Sequence, residues 1–220
     1  MTREGLRGGA DEAGRGCMLG PLVVAGVSAS REGIEMLKGL GVRDSKMLSA
    51  KQREAIYPEI FKVAERVRWA SIPPGEIDDV VLRGKKLRKL NYLEAVYFAK
   101  VIDSLGAKRV TVDASDVFPW RFGRDISTNL EKRCRVVAYH KADRDYPVVS
   151  AASIVAKVER DRAVEELRKE HGDFGSGYPS DPATRSFFSQ LLKRGEGLPS
   201  YVRKSWKTWE RLGEGLLDVS

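Results

Sequence analysis

The stretch "GGADEAGRGCMLGPLVVAGV", residues 8–27, sets two adjacent carboxylates, Asp11 and Glu12, in a glycine-rich turn ahead of an apolar, strand-like run. It lacks the Gly-Lys-Ser/Thr ending of a phosphate-cradling loop, and "GRGCMLG" lacks the Gly-x-Gly-x-x-Gly spacing of a dinucleotide fold. Two carboxylates facing a phosphate repel it unless hard cations lie between, and oxygen ligands of this kind suit Mg²⁺ or Mn²⁺. An isolated Asp-Glu pair is most often a solvated turn. Recurrence argues against that here: Asp113 closes "RVTVD" and Asp143 closes "RVVAYHKAD", so further carboxylates end apolar strands. Neighbouring strands lie about 4.8 Å apart, so carboxylates at one level of a sheet can serve two cations roughly 3.5–4 Å apart, the geometry of two-metal phosphoryl transfer. Asp116 and Asp145, two or three residues further on, are the rival ligands, and strand register decides between them and Asp113 and Asp143.

The elements that must carry these groups read as alternating strands and helices. "PLVVAGVSAS", "AKRVTVDAS" and "RCRVVAYHKAD" are rich in β-branched residues and read as buried strands. "SAKQREAIYPEIFKVAERV" opens with the capping-box pair Ser49 and Gln52, and "KLRKLNYLEAVYFAKVIDSLG" places Leu90, Phe98, Val101 and Leu105 at helical spacing before Gly106. After Pro147 one long helix is expected up to Gly172, with Ala151, Ile154, Val155 and Val158 as its core stripe. A last helix starts at Asp181-Pro182, where Asp181 can cap and Pro182 fits the first turn. The sum is α/β with a central mixed sheet flanked by helices and a C-terminal helical extension. The expected division is a catalytic domain over 1–175 and a C-terminal segment over 176–220 that contributes to substrate binding.

Bulk properties narrow the chemistry. Across 220 residues, 39 Lys+Arg against 31 Asp+Glu give a net charge of +8, which favours polyanionic partners. No apolar run approaches the ~20 residues of a membrane span, and "MTREGLRGGADEAG" lacks the apolar stretch of a signal peptide, so a cytoplasmic protein that avoids membranes is expected. A monomer is the separate expectation, which no residue pattern decides. Cys17 and Cys134 have no metal-ligand spacing, and two histidines, His140 and His171, are too few for a His-based metal site or a nucleophile triad. Acid-base and metal chemistry therefore falls on carboxylates.

Other polar positions suit a nucleic-acid substrate. Gly14 and Gly16 let backbone approach a ligand, and Arg15 between them can reach a phosphate, although a tight turn alone would use the same residues. Ser150, Ser153 and Lys157 form a polar helical face able to bind a phosphate backbone or simply to face solvent. The basic run Lys85, Lys86, Arg88 and Lys89 sits near a helix start, where an anionic partner would offset its repulsion by the macrodipole. Tyr178, between "GSG" and the cap of the last helix, can project its ring from a loop or pack beneath the C-terminal segment.

"DEAGRG", "RDSK", "TVDASD", "KAD" followed by "SAASIVAKVERD", and "GSGYPSD" occur in the order seen in ribonuclease HII, and the chain resembles an archaeal member of that family over most of residues 8–210. The resemblance implies a ribonuclease H-like fold and an endoribonuclease that hydrolyses the RNA strand of RNA/DNA hybrids. It also implies incision 5′ of ribonucleotides in duplex DNA and dependence on Mg²⁺ or Mn²⁺. It assigns Asp11, Glu12, Asp113 and Asp143 to metal binding, Gly14-Arg15-Gly16 to the ribose 2′-hydroxyl, Lys46 to a phosphate, and Tyr178 to the RNA-to-DNA junction. A replication clamp is a conceivable partner in this setting, but "LGEGLLDVS" shows no evident clamp motif. The rivals are a nuclease of the same superfold that cuts all-DNA duplexes and a non-catalytic hybrid-binding protein. Four carboxylates facing a polyanion disfavour the second.

Overall fold

The computed structural model of the chain describes residues 5–42, 47–83, 89–195 and 197–206. Strand β1 (Arg7–Ala13) pairs antiparallel with β2 (Leu22–Ala29), placing Asp11 opposite Ala25 and Glu12 opposite Val24. The acidic pair thus lies in a strand and not in the expected glycine-rich turn. Its glycines serve packing: a Cβ on Gly9 would come within 2.3 Å of the Val148–Val149 backbone. That close approach is open only to a residue without a side chain.

Helix α1 (Arg31–Gly39) follows, capped by Ser30. Helix α2 (Ala50–Val63) carries the expected capping box, with Gln52 N–H donating to Ser49 Oγ and Ser49 N–H to Gln52 Oε1. It stops earlier than the sequence pattern suggests. Ala64 is extended, and "RVRWASI" becomes β3 (Arg66–Ile72), a strand whose sequence lacks a clean apolar alternation. Helices α3 (Pro74–Asp78) and α4 (Lys89–Leu105) lead to β4 (Arg109–Asp113), then α5 (Pro119–Thr128) and β5 (Arg135–Tyr139). The run of basic residues expected before α4 falls largely outside the described residues, as does Lys46. A short helix α6 (Ala142–Asp145), the long helix α7 (Pro147–His171) and α8 (Pro182–Arg194) follow. The two long-helix boundaries expected from Gly172 and Asp181-Pro182 are observed, with Gly172 at φ 91° and the Asp181 side chain accepting from Ala183 N–H.

The sheet has the order β3-β2-β1-β4-β5, with β1, β4 and β5 parallel and β2 antiparallel to β1. The central mixed sheet of an α/β fold is therefore as expected.

By contacts the chain forms two compact units. The first takes residues 1–13, 23–70 and 90–159, and the second 14–22, 71–89 and 160–220. In the first, Ala151, Ile154, Val155 and Val158 of α7 are buried with Val27, Leu37, Ile60 and Val67, which is the core stripe read from the sequence. Each such Ile, Leu or Val contributes about 1.5–3 kcal/mol by leaving water. In the second, Met18, Leu19, Phe174, Phe188 and Tyr201 form a separate core. Cys17 and Cys134 are free thiols, and among the described residues no helix is long and apolar enough to cross a membrane.

Candidate active site

Parallel register explains how the carboxylates of the first unit meet. Arg7 pairs with Arg109 and Ala10 with Val112, so one step further along both strands Asp11 stands level with Asp113. Asp143 joins them, and one oxygen from each of Asp11, Asp113 and Asp143 lies within 4.8 Å of the others. Asp143 does not end a strand as the sequence reading has it: β5 stops at Tyr139, and Asp143 sits four residues on, inside α6. The turn between them is made by Lys141 in the left-handed region at φ 59°, a conformation that costs a side-chain-bearing residue about 1 kcal/mol or more. Ala142 N–H donates to Asp113 Oδ1 at 3.3 Å, which fixes this turn on the neighbouring ligand.

Electrostatics follow from the crowding. Burial, then the nearby Asp113 charge, push the Asp11 carboxyl up from its ordinary range to about 7, against the pull of hydrogen bonds from Ser153 and from Glu12 N–H. Like charges this close favour a shared proton or a bound cation. All the donors are carboxylate oxygens, the set that hard divalent cations prefer, so the residues present fit such an ion. Adjacent strand positions face opposite sides, and half-buried Glu12 stands outside the group of three.

The rivals are excluded from that group. Asp116 is buried, and although burial raises its carboxyl, hydrogen bonds from Arg121, Phe118 N–H and Asn91 hold it down to about 2. It serves to pin the loop after β4. Asp145 is exposed. Ser150 and Ser153 correct the expected polar face: both are buried, so neither presents an open surface to a phosphate backbone. Ser150 Oγ donates to the Asp143 carbonyl, and Ser153 to the Asp11 carboxylate. The close passage of α7 over Gly9 is what brings these hydroxyls to the acids. Lys157, one turn further, is half-buried.

The second unit holds the loop that follows β1. Gly14 has φ 87°, and Cys17 N–H closes a turn onto the Gly14 carbonyl at 3.2 Å. Two arginines that sequence reasoning missed hold this loop. Arg203, 1% exposed, donates to the carbonyls of Gly20 at 3.1 Å and Arg15 at 2.9 Å. Arg160, 4% exposed, contacts Cys17 Sγ at 2.9 Å and donates to the Ser176 carbonyl, while its guanidinium lies 5.0 Å from the centre of the Tyr178 ring. Their surroundings, "VERDR" and "YVRKSWK", are charged stretches that give no sign of a buried guanidinium. Tyr178 is 36% exposed, its hydroxyl pushed up to about 12 by burial and by Cys17. A Cβ on Gly16 would lie 3.9 Å from the Tyr178 ring, so the loop and the ring are neighbours. Gly177 stands beside them at φ 80° and accepts from Met18 N–H at 2.8 Å.

The sequence profile of the family "Ribonuclease HII" matches residues 8–209. The chain belongs to the ribonuclease HII family. A "Ribonuclease HII" of Cenarchaeum symbiosum is 48% identical over 199 residues, covering 90% of this chain and 94% of that protein. The crystal structure of ribonuclease H2 from Pyrococcus horikoshii OT3 superposes with a TM-score of 0.85 at 38% identity, covering 96% of this chain and 99% of the other. Ribonuclease HII from Archaeoglobus fulgidus, solved as a complex with PCNA, gives a TM-score of 0.84 at 44% identity over 94% and 96% of the two chains. As a ribonuclease HII the chain is a hydrolase of RNA phosphodiester bonds, and its Asp11, Asp113 and Asp143 form a group able to hold a metal ion.

Proposed function

We propose that this ribonuclease HII is a cytoplasmic endoribonuclease that cuts the RNA strand of RNA/DNA hybrids and incises duplex DNA 5′ of embedded ribonucleotides, leaving 3′-hydroxyl and 5′-phosphate ends. The observation that carries the reading is the convergence of Asp11 within β1, Asp113 at the end of the parallel β4 and Asp143 in α6, with one oxygen of each within 4.8 Å of the others. Those three residues would hold divalent cations, Mg²⁺ or Mn²⁺, and Glu12, which stands outside the group of three, is a further ligand only by the family resemblance. When bound, such ions neutralise the scissile phosphate and lower the pKa of water for in-line attack. The protein's own part is positional. Ser153 orients the Asp11 carboxylate and Ser150 holds the backbone at Asp143, so the ligands are set before substrate arrives. Gly14 and Gly16 leave room for a sugar-phosphate against backbone, Arg15 supplies charge, and Lys46 and Lys157 add phosphate contacts. The Tyr178 ring is the group for the deoxyribose that follows a ribonucleotide. A sliding clamp is a further proposed partner, supported by the Archaeoglobus fulgidus complex.

The test uses three duplexes: DNA with one ribonucleotide, its all-DNA twin, and an RNA/DNA hybrid, each with Mg²⁺, Mn²⁺ or chelator. Cutting of the first and third only, and only with a cation, is expected. Equal cutting of the all-DNA twin would sink the reading.

A further inference from the structure

The starts of the strands carry a charged feature that the nuclease reading does not use. Register pairs Arg7 of β1 with Arg109 of β4, and Arg109 with Arg135 of β5, so three guanidinium groups leave one row of the sheet on one face. Like charges directly opposite across strands destabilise a sheet. Among the described residues, none of the three side chains has a hydrogen bond or ion pair to offset this. Beside Arg7 and Arg109 lies a cavity of about 230 Å³ lined also by Thr111, Tyr146, Ile34 and Val148. Tyr146 stacks on Tyr139, with ring centres 5.8 Å apart, which holds that wall in place. Asp145 is the nearby acidic group that acts on Tyr146, together with Arg109.

We infer that this cavity binds a small phosphate-type oxyanion, with Arg7 and Arg109 as its charge partners and the hydroxyl of Thr111 as a further donor. Its volume lies below the ~300 Å³ at which pockets begin to take drug-sized ligands, so an inorganic phosphate or a compact phosphomonoester head fits better than a nucleotide. A concave site with apolar walls also differs from the open basic surface that tracks a duplex. The cavity is separate from the carboxylate group. Arg7 and Asp11 are four residues apart on β1, as are Arg109 and Asp113 on β4, a distance of about 13 Å along a strand. The Val148–Val149 backbone crosses at Gly9 between them. An oxyanion bridging Arg7 and Arg109 ties together the same two strands that deliver Asp11 and Asp113. It therefore braces the nuclease scaffold from its far end.

Calorimetric titration of inorganic phosphate into the metal-free, chelator-treated protein, at matched ionic strength in chloride, tests this without using substrate. Saturable binding is expected, weakened about tenfold or more in Arg109→Gln and in Arg7→Gln, and by a smaller factor in Thr111→Val, which keeps both charges. Cleavage of the ribonucleotide-containing duplex by these variants stays at the wild-type rate, which also certifies that they fold. Absence of saturable binding in the wild type overturns the inference, as does equal binding by wild type and both arginine variants. Variants that bind phosphate normally but lose duplex affinity, with a flatter salt dependence, would instead make the row a duplex contact and equally refute it.

Discussion

The carboxylate region of the first unit and the Gly14–Gly20 loop of the second solve positioning in opposite ways. In the first, functional side chains stand on regular elements: parallel register levels Asp11 with Asp113, and two buried serines fix the rest. In the second, the backbone itself is held in irregular form by buried arginines that donate to carbonyls of Arg15, Gly20 and Ser176. A strand can place a charge but leaves its own amides committed to the sheet. A loop proposed to offer backbone to a sugar needs its carbonyls tied down from behind, and a guanidinium with five donors does that. Damage to the first region should therefore appear in turnover, and damage to the second in stability and substrate choice.

The largest expected effect breaks the first region. Asp113→Asn removes a ligand and several kcal/mol of transition-state stabilisation, a loss of turnover on the order of 10³-fold or more, while duplex binding is kept or tightened as repulsion falls. Gel-shift and single-turnover assays read both. Near-normal turnover of Asp143→Asn beside a dead Asp145→Asn would show that the wrong carboxylate had been assigned. Ser153→Ala should cost about 10–100-fold in activity or in metal affinity, as loss of an outer hydrogen bond to a ligand does, and raising the Mg²⁺ concentration should recover part of it. No recovery and no loss would leave Ser153 a packing residue.

The second region is sharpened by Arg160→Met, which leaves the Ser176 carbonyl without its buried donor at a cost of about 1–3 kcal/mol. That is a fall in Tm of roughly 2–10 °C, accompanied by weaker discrimination for a lone ribonucleotide. Smallest is the ring itself. Tyr178→Ala should lower cleavage at a single ribonucleotide several-fold more than cleavage within a long RNA/DNA hybrid, and Tyr178→Phe should keep the preference, because stacking uses the ring and not the hydroxyl. Equal losses on both substrates, or a fall in Tm large enough to explain them, would return Tyr178 to packing.

Much of this was legible in the sequence, and the failures have physical causes. Apolar runs ending in "TVD" and the cap signals at Ser49 and Asp181 located strands and helices because those signals are local. "RGGADEA" looked like a turn because glycines usually mark turns. Gly9 instead makes room for the α7 backbone, a contact 139 residues away. β3 goes unread because only Arg66 and Val67 fall in the helical stretch and the rest, with Arg68, Trp69 and Ser71 exposed, lacks a clean apolar alternation. Asp116 could be separated from Asp113 only by seeing Arg121 and Asn91 claim it. Ser150 and Ser153 shared a face, as their spacing required, but tertiary packing turned that face toward the acids. Arg160 and Arg203 left no local trace at all, since nothing in a sequence distinguishes a buried guanidinium that serves carbonyls from a solvated one.

The central claim is that Asp11, Asp113 and Asp143 form a strained acidic group built for a cation. The most direct measurement is the Tm of metal-free protein between pH 5 and 8, with and without Mg²⁺ or Mn²⁺, for wild type and Asp11→Asn. With Asp11 at about 7 when folded and 3.8 when unfolded, the folded state keeps a proton that the unfolded state has released across this window. The site's contribution to stability therefore falls as pH rises toward 7 and stays lost above it. We expect the wild-type Tm to drop over that range, divalent cations to restore it most at pH 8, and Asp11→Asn to flatten the pH slope and blunt the cation effect. A wild-type Tm that shows no such decline with pH, and that neither cation raises at pH 8, would contradict the account.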